Sequence, residues 1–356
     1  MRAWFAITVL LVACGDDAPA PDAAVAVEPT ANPAREIVDT QLHVDVTALS
    51  GSVTITFAGS AQPGATLEVG DLMIDAVTSA GTAMTFAVAD KQLQLGLPAS
   101  TTPIAVDITY HYKLHEKFDG VSTRGFTFLW PYYCGNVFPC HSRPDDGTTF
   151  TLDVTGVPAG KTAVFAPGVT NEAPSYQVAW SVDDYTELAL GTTTAGTQLS
   201  VWHRPTEATT AMNGTQNLVA AFDWFEKTLG SYRFGPKAGT VSVAWPQGAY
   251  GGMEHHPRWH VDDGSLGSQE TNVHEAAHGW FGDGIRLKCW EDFVLSEGAV
   301  TYLAARALDV VAPTVGAQTW TNYTNSLTGI SGSALVWPES CGSIDILADN
   351  LYQNAP

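Results

Sequence analysis

Residues 274–297 read HEAAHGWFGDGIRLKCWEDFVLSE. His274 and His278 stand four apart, so on a helix both imidazoles leave one face, one turn apart, and can share a metal ion. The helical reading rests on the apolar spacing of Val273, Ala276, Ala277, Trp280 and Phe281, with Ser268 as a cap ahead and Gly282 and Gly284 behind. Glu275 lies beside the pair, free to act on a water held by the metal. Eighteen residues after His278 comes Glu297, inside a second apolar pattern formed by Val294, Leu295, Ala299, Val300 and Leu303. That segment can return antiparallel and bring a carboxylate as third ligand. Two His and one Glu leave the fourth position of a tetrahedral zinc open, which is the mark of a catalytic rather than a structural site. No second set of this kind occurs in the sequence, so one Zn2+ per chain is expected.

These residues resemble the aminopeptidase N family of zinc metallopeptidases, whose members carry HExxH, eighteen residues, then Glu. Trp280-Phe281-Gly282-Asp283 is similar to the family's Trp-Phe-Gly-Asn/Asp, and Ser296-Glu297-Gly298 before Val300-Thr301-Tyr302 is similar to its Asn-Glu-Gly before Ala-Thr-Tyr. Gly251-Gly252-Met253-Glu254-His255 looks like Gly-Ala-Met-Glu-Asn. Val137-Phe138-Pro139-Cys140, then Arg143-Pro144, looks like Phe-Pro-Cys-x-Asp-x-Pro. The resemblance implies a saddle-shaped β domain walling one side of a cleft, with Glu254 pairing the α-ammonium of a peptide substrate. It also implies an oxyanion donor, placed at Tyr352 by the surroundings Asp345-Ile346-Leu347 and Leu351 to Ala355. Three departures stand out: His255 replaces the family's Asn, Trp130 stands where many members carry Gln near the substrate amine, and family chains continue past the Tyr, whereas this sequence stops at Pro356.

The 356 residues, 45% of them apolar and 15% charged, suffice for two domains with a sizeable core. A formal charge of −21 argues against a nucleic-acid partner. Met1-Arg2 and the apolar run after it are too short to span a bilayer and read as an export signal. The run ends Leu11-Val12-Ala13-Cys14, similar to the bacterial lipobox, so the expectation is a protein exported to the cell envelope and lipid-anchored at Cys14. Residues 15–35, rich in Ala, Pro and Asp, suit a tether. Cys134, Cys140, Cys289 and Cys341 are an even set expected to form disulfides. Three pairings are open; Cys134 with Cys140 and Cys289 with Cys341 keeps each bridge within one region, the second tying a helix turn to the Tyr352 segment.

From Glu36 to Gly191 the apolar residues alternate, as in Val53, Ile55, Phe57 and Ile104, Val106, Ile108, Tyr110, which marks half-buried strands. Near Pro205 the period becomes helical, with Leu218, Phe222, Phe225 and Leu229 on one face and Gly230 as the stop. A strand over 240–245 follows, and then Gly251-Gly252-Met253, whose glycines allow an extended substrate to approach the backbone and add as a strand. His255, His256 and His260 read as surface histidines of a loop, and Thr301, four after Glu297, as a hydrogen-bond partner behind the metal site.

The expected fold is α+β: an antiparallel β domain over 36–200, then a thermolysin-like, mainly helical catalytic domain over 201–356, incomplete at its C-terminal end. The expected activity is removal of N-terminal residues from peptides by a zinc-activated water, with Glu275 as general base and Tyr352 as oxyanion donor. Two rivals are an endopeptidase without need of a free amine, motivated by Trp130 and His255, and a non-catalytic surface lipoprotein on a truncated peptidase fold. A binding module has no need of a free Glu275, which speaks against the second.

Overall fold

The computed structural model describes residues 27–129, 133–245 and 251–328. Cys14, Trp130, Cys341 and Tyr352 lie outside them. The first region is built on a seven-stranded sheet, in the order Gly168–Pro174, Gly147–Thr155, Ile37–Asp45, Ser50–Phe57, Ile104–His111, Met73–Ser79 and Thr82–Ala83. The alternation expected from sequence is present: Val106, Ile108 and Tyr110 of one strand are buried while their neighbours face out. All pairings in this sheet are antiparallel except one, since Ile37–Asp45 runs parallel to Gly147–Thr155. Cys134 and Cys140 form a disulfide with Cα atoms 6.2 Å apart. Cys289 is also disulfide-bonded.

A five-stranded sheet runs in the order Thr186–Thr192, Gln198–His203, Lys237–Val243, Arg258–Asp262 and Gly252–Met253. Its first strand falls within the β domain expected over 36–200, and its second strand straddles that boundary. Around it pack the helices α1 (Ala208–Thr215), α2 (Leu218–Leu229), α3 (Gln269–Ala277), α4 (Phe293–Val311) and α5 (Pro313–Leu327). Leu218, Phe222 and Phe225 of α2 are buried against Val273, Ala276 and Ala277 of α3 and Val300, Ala304 and Leu308 of α4. Gly230, with φ of 105°, ends α2. On α4 the buried face differs from the expected one, because Leu295 is 58% exposed and Phe293 and Ser296 turn inward. No helix among the described residues is long and apolar enough to cross a membrane.

The larger apolar cluster does not stop at the first region. Phe128, Val178 and Trp180 share it with Val243, Trp245, Met253, Leu287 and Phe293. The continuous core brings the turn Ser175–Gln177 up against the segment that follows α3.

Candidate metal and catalytic site

Ser268 caps α3 by accepting the Thr271 N–H at 3.1 Å, as the sequence suggested. The helix then presents His274 and Glu275 and ends at His278, its C-cap residue. Glu297 arrives from the second turn of α4. The three donor atoms converge: His274 Nε2 to His278 Nε2 is 3.3 Å, His274 Nε2 to Glu297 Oε2 is 3.1 Å, and His278 Nε2 to Glu297 Oε1 is 3.6 Å. A tetrahedral ion with bonds of about 2.0–2.1 Å separates its ligands by about 3.3 Å, so these spacings are those of a zinc ligand set.

The far sides of the rings fix their orientation. His278 Nδ1 donates to the Phe281 carbonyl at 3.1 Å, with Ser296 Oγ at 3.4 Å, which leaves Nε2 unprotonated and available as a ligand. Thr301 Oγ1 lies 3.5 Å from His274 Nδ1, the relation expected of it. Gly282, with φ of 97°, is required here twice over: a β-carbon there would stand 2.9 Å from His278 Nδ1 and 2.4 Å from Ser296 Oγ.

The electrostatics call for one cation beside Glu297. Burial lowers the affinity of His274 for a proton, yet the hydrogen bond and charge of Glu297, with Glu275 behind, raise it to about 10. Burial pushes His278 down to about 4, partly offset by Glu297. Glu297 resists its own burial and is held below the usual carboxylate range by the two imidazoles. A proton on His274 or a divalent ion among all three meets the same demand, and the donor chemistry of two imidazoles and a carboxylate suits zinc.

Glu275 and Glu254 close in from the other side. The ligating atoms of Glu254, Glu275 and His278 all lie within 4.8 Å of one another. This second acidic group shares His278 with the first, so it is no independent metal site. Glu275 is 4% exposed and its Oε2 has no hydrogen-bond partner among the described residues. Burial, then the negative charge of Glu297, pushes the Glu254 carboxyl up to about 8. Gly252–Met253 forms the edge strand of the second sheet, Gly252 opposite Val261 and Met253 opposite His260. Gly251 accepts the Asp262 N–H through its carbonyl at 3.0 Å.

The histidines expected at the surface are instead buried, His255 at 1% and His256 and His260 at 0% exposure. Each is drawn inward by the aromatic and polar groups around it: His255 Nδ1 pairs with the Tyr176 carbonyl at 2.7 Å, and its ring packs edge-on to His260 with centroids 4.9 Å apart. Burial pushes His255 and His256 down to about 3, so both rings are neutral. Sequence reasoning also missed Tyr176, Gln177 and any role for Asp283. The Tyr176 hydroxyl donates to Asp283 Oδ1 at 2.7 Å in a fully buried contact, and Gln177 Nε2 donates to the His256 carbonyl at 3.2 Å. Asp283 was visible as the last residue of Trp280-Phe281-Gly282-Asp283; Tyr176 belongs to no motif.

The helix-borne His-Glu-x-x-His with a distant Glu and an α+β frame defines a zinc metallopeptidase site. Residues 215–331 match the sequence profile of the peptidase family M1 domain. That match supports the resemblance to the aminopeptidase N family of zinc metallopeptidases. Endoplasmic reticulum aminopeptidase 2 of Homo sapiens is 24% identical over 271 residues, 63% of this chain and 28% of that protein. Leucine aminopeptidase 2 of Aspergillus oryzae is 26% identical over 198 residues, 48% of this chain and 30% of that protein. The match thus spans about 30% of the length of these relatives. Among solved structures, the M1 zinc metallopeptidase from Deinococcus radiodurans shares the fold with a TM-score of 0.71 at 18% identity, covering 84% of this chain and 76% of that one. A mutant of the Deinococcus enzyme bound to a Tyr-Ser-Ala substrate gives 0.70 at 17% identity, covering 86% and 79%.

Proposed function

We propose that this protein removes amino acids from the free N-terminus of peptides. A zinc ion held by His274, His278 and Glu297 would polarise the scissile carbonyl and lower the pKa of an attacking water to about 7. Glu275 takes the proton from that water and passes it to the leaving amine. Its lack of any other partner within the described residues keeps Oε2 free for that work. Glu254 pairs with the substrate's α-ammonium, which supplies the cation that its buried carboxylate lacks. The edge strand Gly252–Met253 takes the peptide backbone alongside. Tyr352 is assigned to the oxyanion, and lipid attachment at Cys14 to the cell envelope, on the sequence resemblance alone.

The observation that supports the reading is the closeness of Glu254, Glu275 and His278, whose ligating atoms all lie within 4.8 Å of one another, so that an ammonium paired with Glu254 would lie beside the base. The test compares kcat/KM for matched free and acetylated peptides, repeated with Glu254→Ala. Loss of a buried charge partner costs about 2–5 kcal/mol, so the free peptide leads by at least about thirtyfold in the parent protein and the lead collapses in the variant. Equal rates on both peptides in the parent protein rule the aminopeptidase out in favour of an endopeptidase.

A further inference from the structure

We propose that His256 is a positioning residue for Glu275, holding the end of α3 in shape by bonding the Glu275 carbonyl. The inference deepens the reading of Glu275 as the base and rests on it.

The last carbonyls of a helix lack partners within it. At the end of α3 the bonding tightens: the Gly279 N–H donates to Ala276 O at 3.3 Å, and the N–H groups of Trp280 and Phe281 both donate to Ala277 O, at 3.0 and 3.4 Å. The N–H four residues beyond Glu275 is therefore spent on the next carbonyl. His256 Nε2 meets the Glu275 carbonyl instead, at 2.8 Å in a buried contact. A carbonyl only accepts, so Nε2 carries the proton; Nδ1 of the neutral ring is then an acceptor and takes the Tyr232 hydroxyl at 2.7 Å. Trp259 and Phe234 pack on the ring at centroid distances of 4.9 and 6.0 Å. Gly279 leaves room for it, since a β-carbon there would lie 3.0 Å from His256 Cε1 and 2.7 Å from Tyr232 Cε2.

The bond falls between the base and the second metal-ligating histidine, within a single turn. Without it a buried carbonyl is orphaned and that turn is free to unwind, which moves Glu275 relative to His278. His256 also stands two residues after Glu254, so the segment between the strands Gly252–Met253 and Arg258–Asp262 that carries Glu254 also grips the helix that carries the base.

The test uses the zinc-loaded protein with His256→Leu, His256→Gln and Tyr232→Phe, reading zinc content, amide hydrogen exchange over 275–281, and kcat with KM. In His256→Leu, exchange over 275–281 should quicken and kcat fall by roughly tenfold each, the loss of one buried hydrogen bond, with zinc retained and KM within about twofold. His256→Gln keeps a donor and should stay within about threefold of the parent on both measures. Tyr232→Phe leaves α3 untouched, releases the ring tautomer, and should fall between the two. Parent-like exchange and kcat in His256→Leu, or equal impairment by Leu and Gln, would overturn the proposal. A parent protein that cuts no peptide defeats the aminopeptidase reading, while the exchange data still decide this one.

Discussion

The carboxylate of Glu275 occupies the place where a side chain on Gly252 would be: a β-carbon built on Gly252 falls 2.1 Å from Glu275 Oε1 and 2.4 Å from Cγ. Gly252 is a glycine for the sake of its neighbour's aim rather than for turn geometry. In Gly252→Ala the methyl displaces the carboxylate by more than an ångström. Misplacement on that scale costs up to about a hundredfold in turnover. Steady-state kinetics alongside zinc analysis test this, with the expectation of full zinc and a lowered kcat. A variant with parent-like kcat would mean that Glu275 points elsewhere during the reaction.

One zinc per chain is the expected stoichiometry from elemental analysis, because the second acidic group borrows His278 from the first. His274→Ala combined with His278→Ala should bind none. Zinc retained undiminished in that double variant refutes the ligand set.

Glu275→Gln should keep its zinc and its fold and lose about 10²–10⁴-fold in kcat, since an amide cannot accept the water's proton. Burial, only partly offset by His274, pushes the Glu275 carboxyl well above the usual range, so a neutral amide there escapes the cost of burying a charge. The variant is thus expected to melt at or above the parent temperature, and a lower Tm would show that the carboxylate has a structural partner.

Far from the metal, His141 makes stability depend on pH. Its Nδ1 bonds Asp146 and its Nε2 bonds the Thr66 carbonyl at 2.7 Å, so both ring nitrogens face acceptors and both carry protons. Burial opposes that charge, but the bond to Asp146 and its charge prevail and the pKa is raised. A raised folded-state value contributes stability that is complete below the ordinary histidine value of about 6.5 and is lost as pH climbs through the folded one. His141→Asn should therefore destabilise by about 1–3 kcal/mol at pH 6 and by less at pH 9, measured by urea unfolding. An equal penalty at both pH values would contradict the charged pair.

Local signals carried most of what could be foreseen. The alternation of Val106, Ile108 and Tyr110, the cap at Ser268 and the spacing of His274, His278 and Glu297 are each set within a turn or two of chain, where sequence order and spatial order coincide. What escaped depends on distant partners. The Tyr176 to Asp283 contact spans 107 residues and the His255 to Tyr176 contact spans 79. Nothing near Tyr176 announces either. The run of histidines at 255, 256 and 260 misled for the same reason: polar side chains argue for solvent until the acceptors of His255 and His256, and the ring that packs on His260, are found inside. The parallel pairing of Ile37–Asp45 with Gly147–Thr155 is equally invisible to a period-two pattern, which reports the face of a strand and not the direction of its neighbour.

The Ser175–Gln177 turn belongs to the first region, yet three of its groups end on residues next to the metal site: the Tyr176 hydroxyl on Asp283, the Tyr176 carbonyl on His255, and the Gln177 amide on the His256 carbonyl. The β-rich half is therefore not an interchangeable wall. Recombination that paired residues after 204 with the β half of another family member would inherit the metal ligands and the base intact, but would leave a buried aspartate and a buried imidazole with no counterpart. A hybrid needs a donor that brings a hydroxyl, a carbonyl and an amide to the same three points, so the two halves of this protein are fitted to one another.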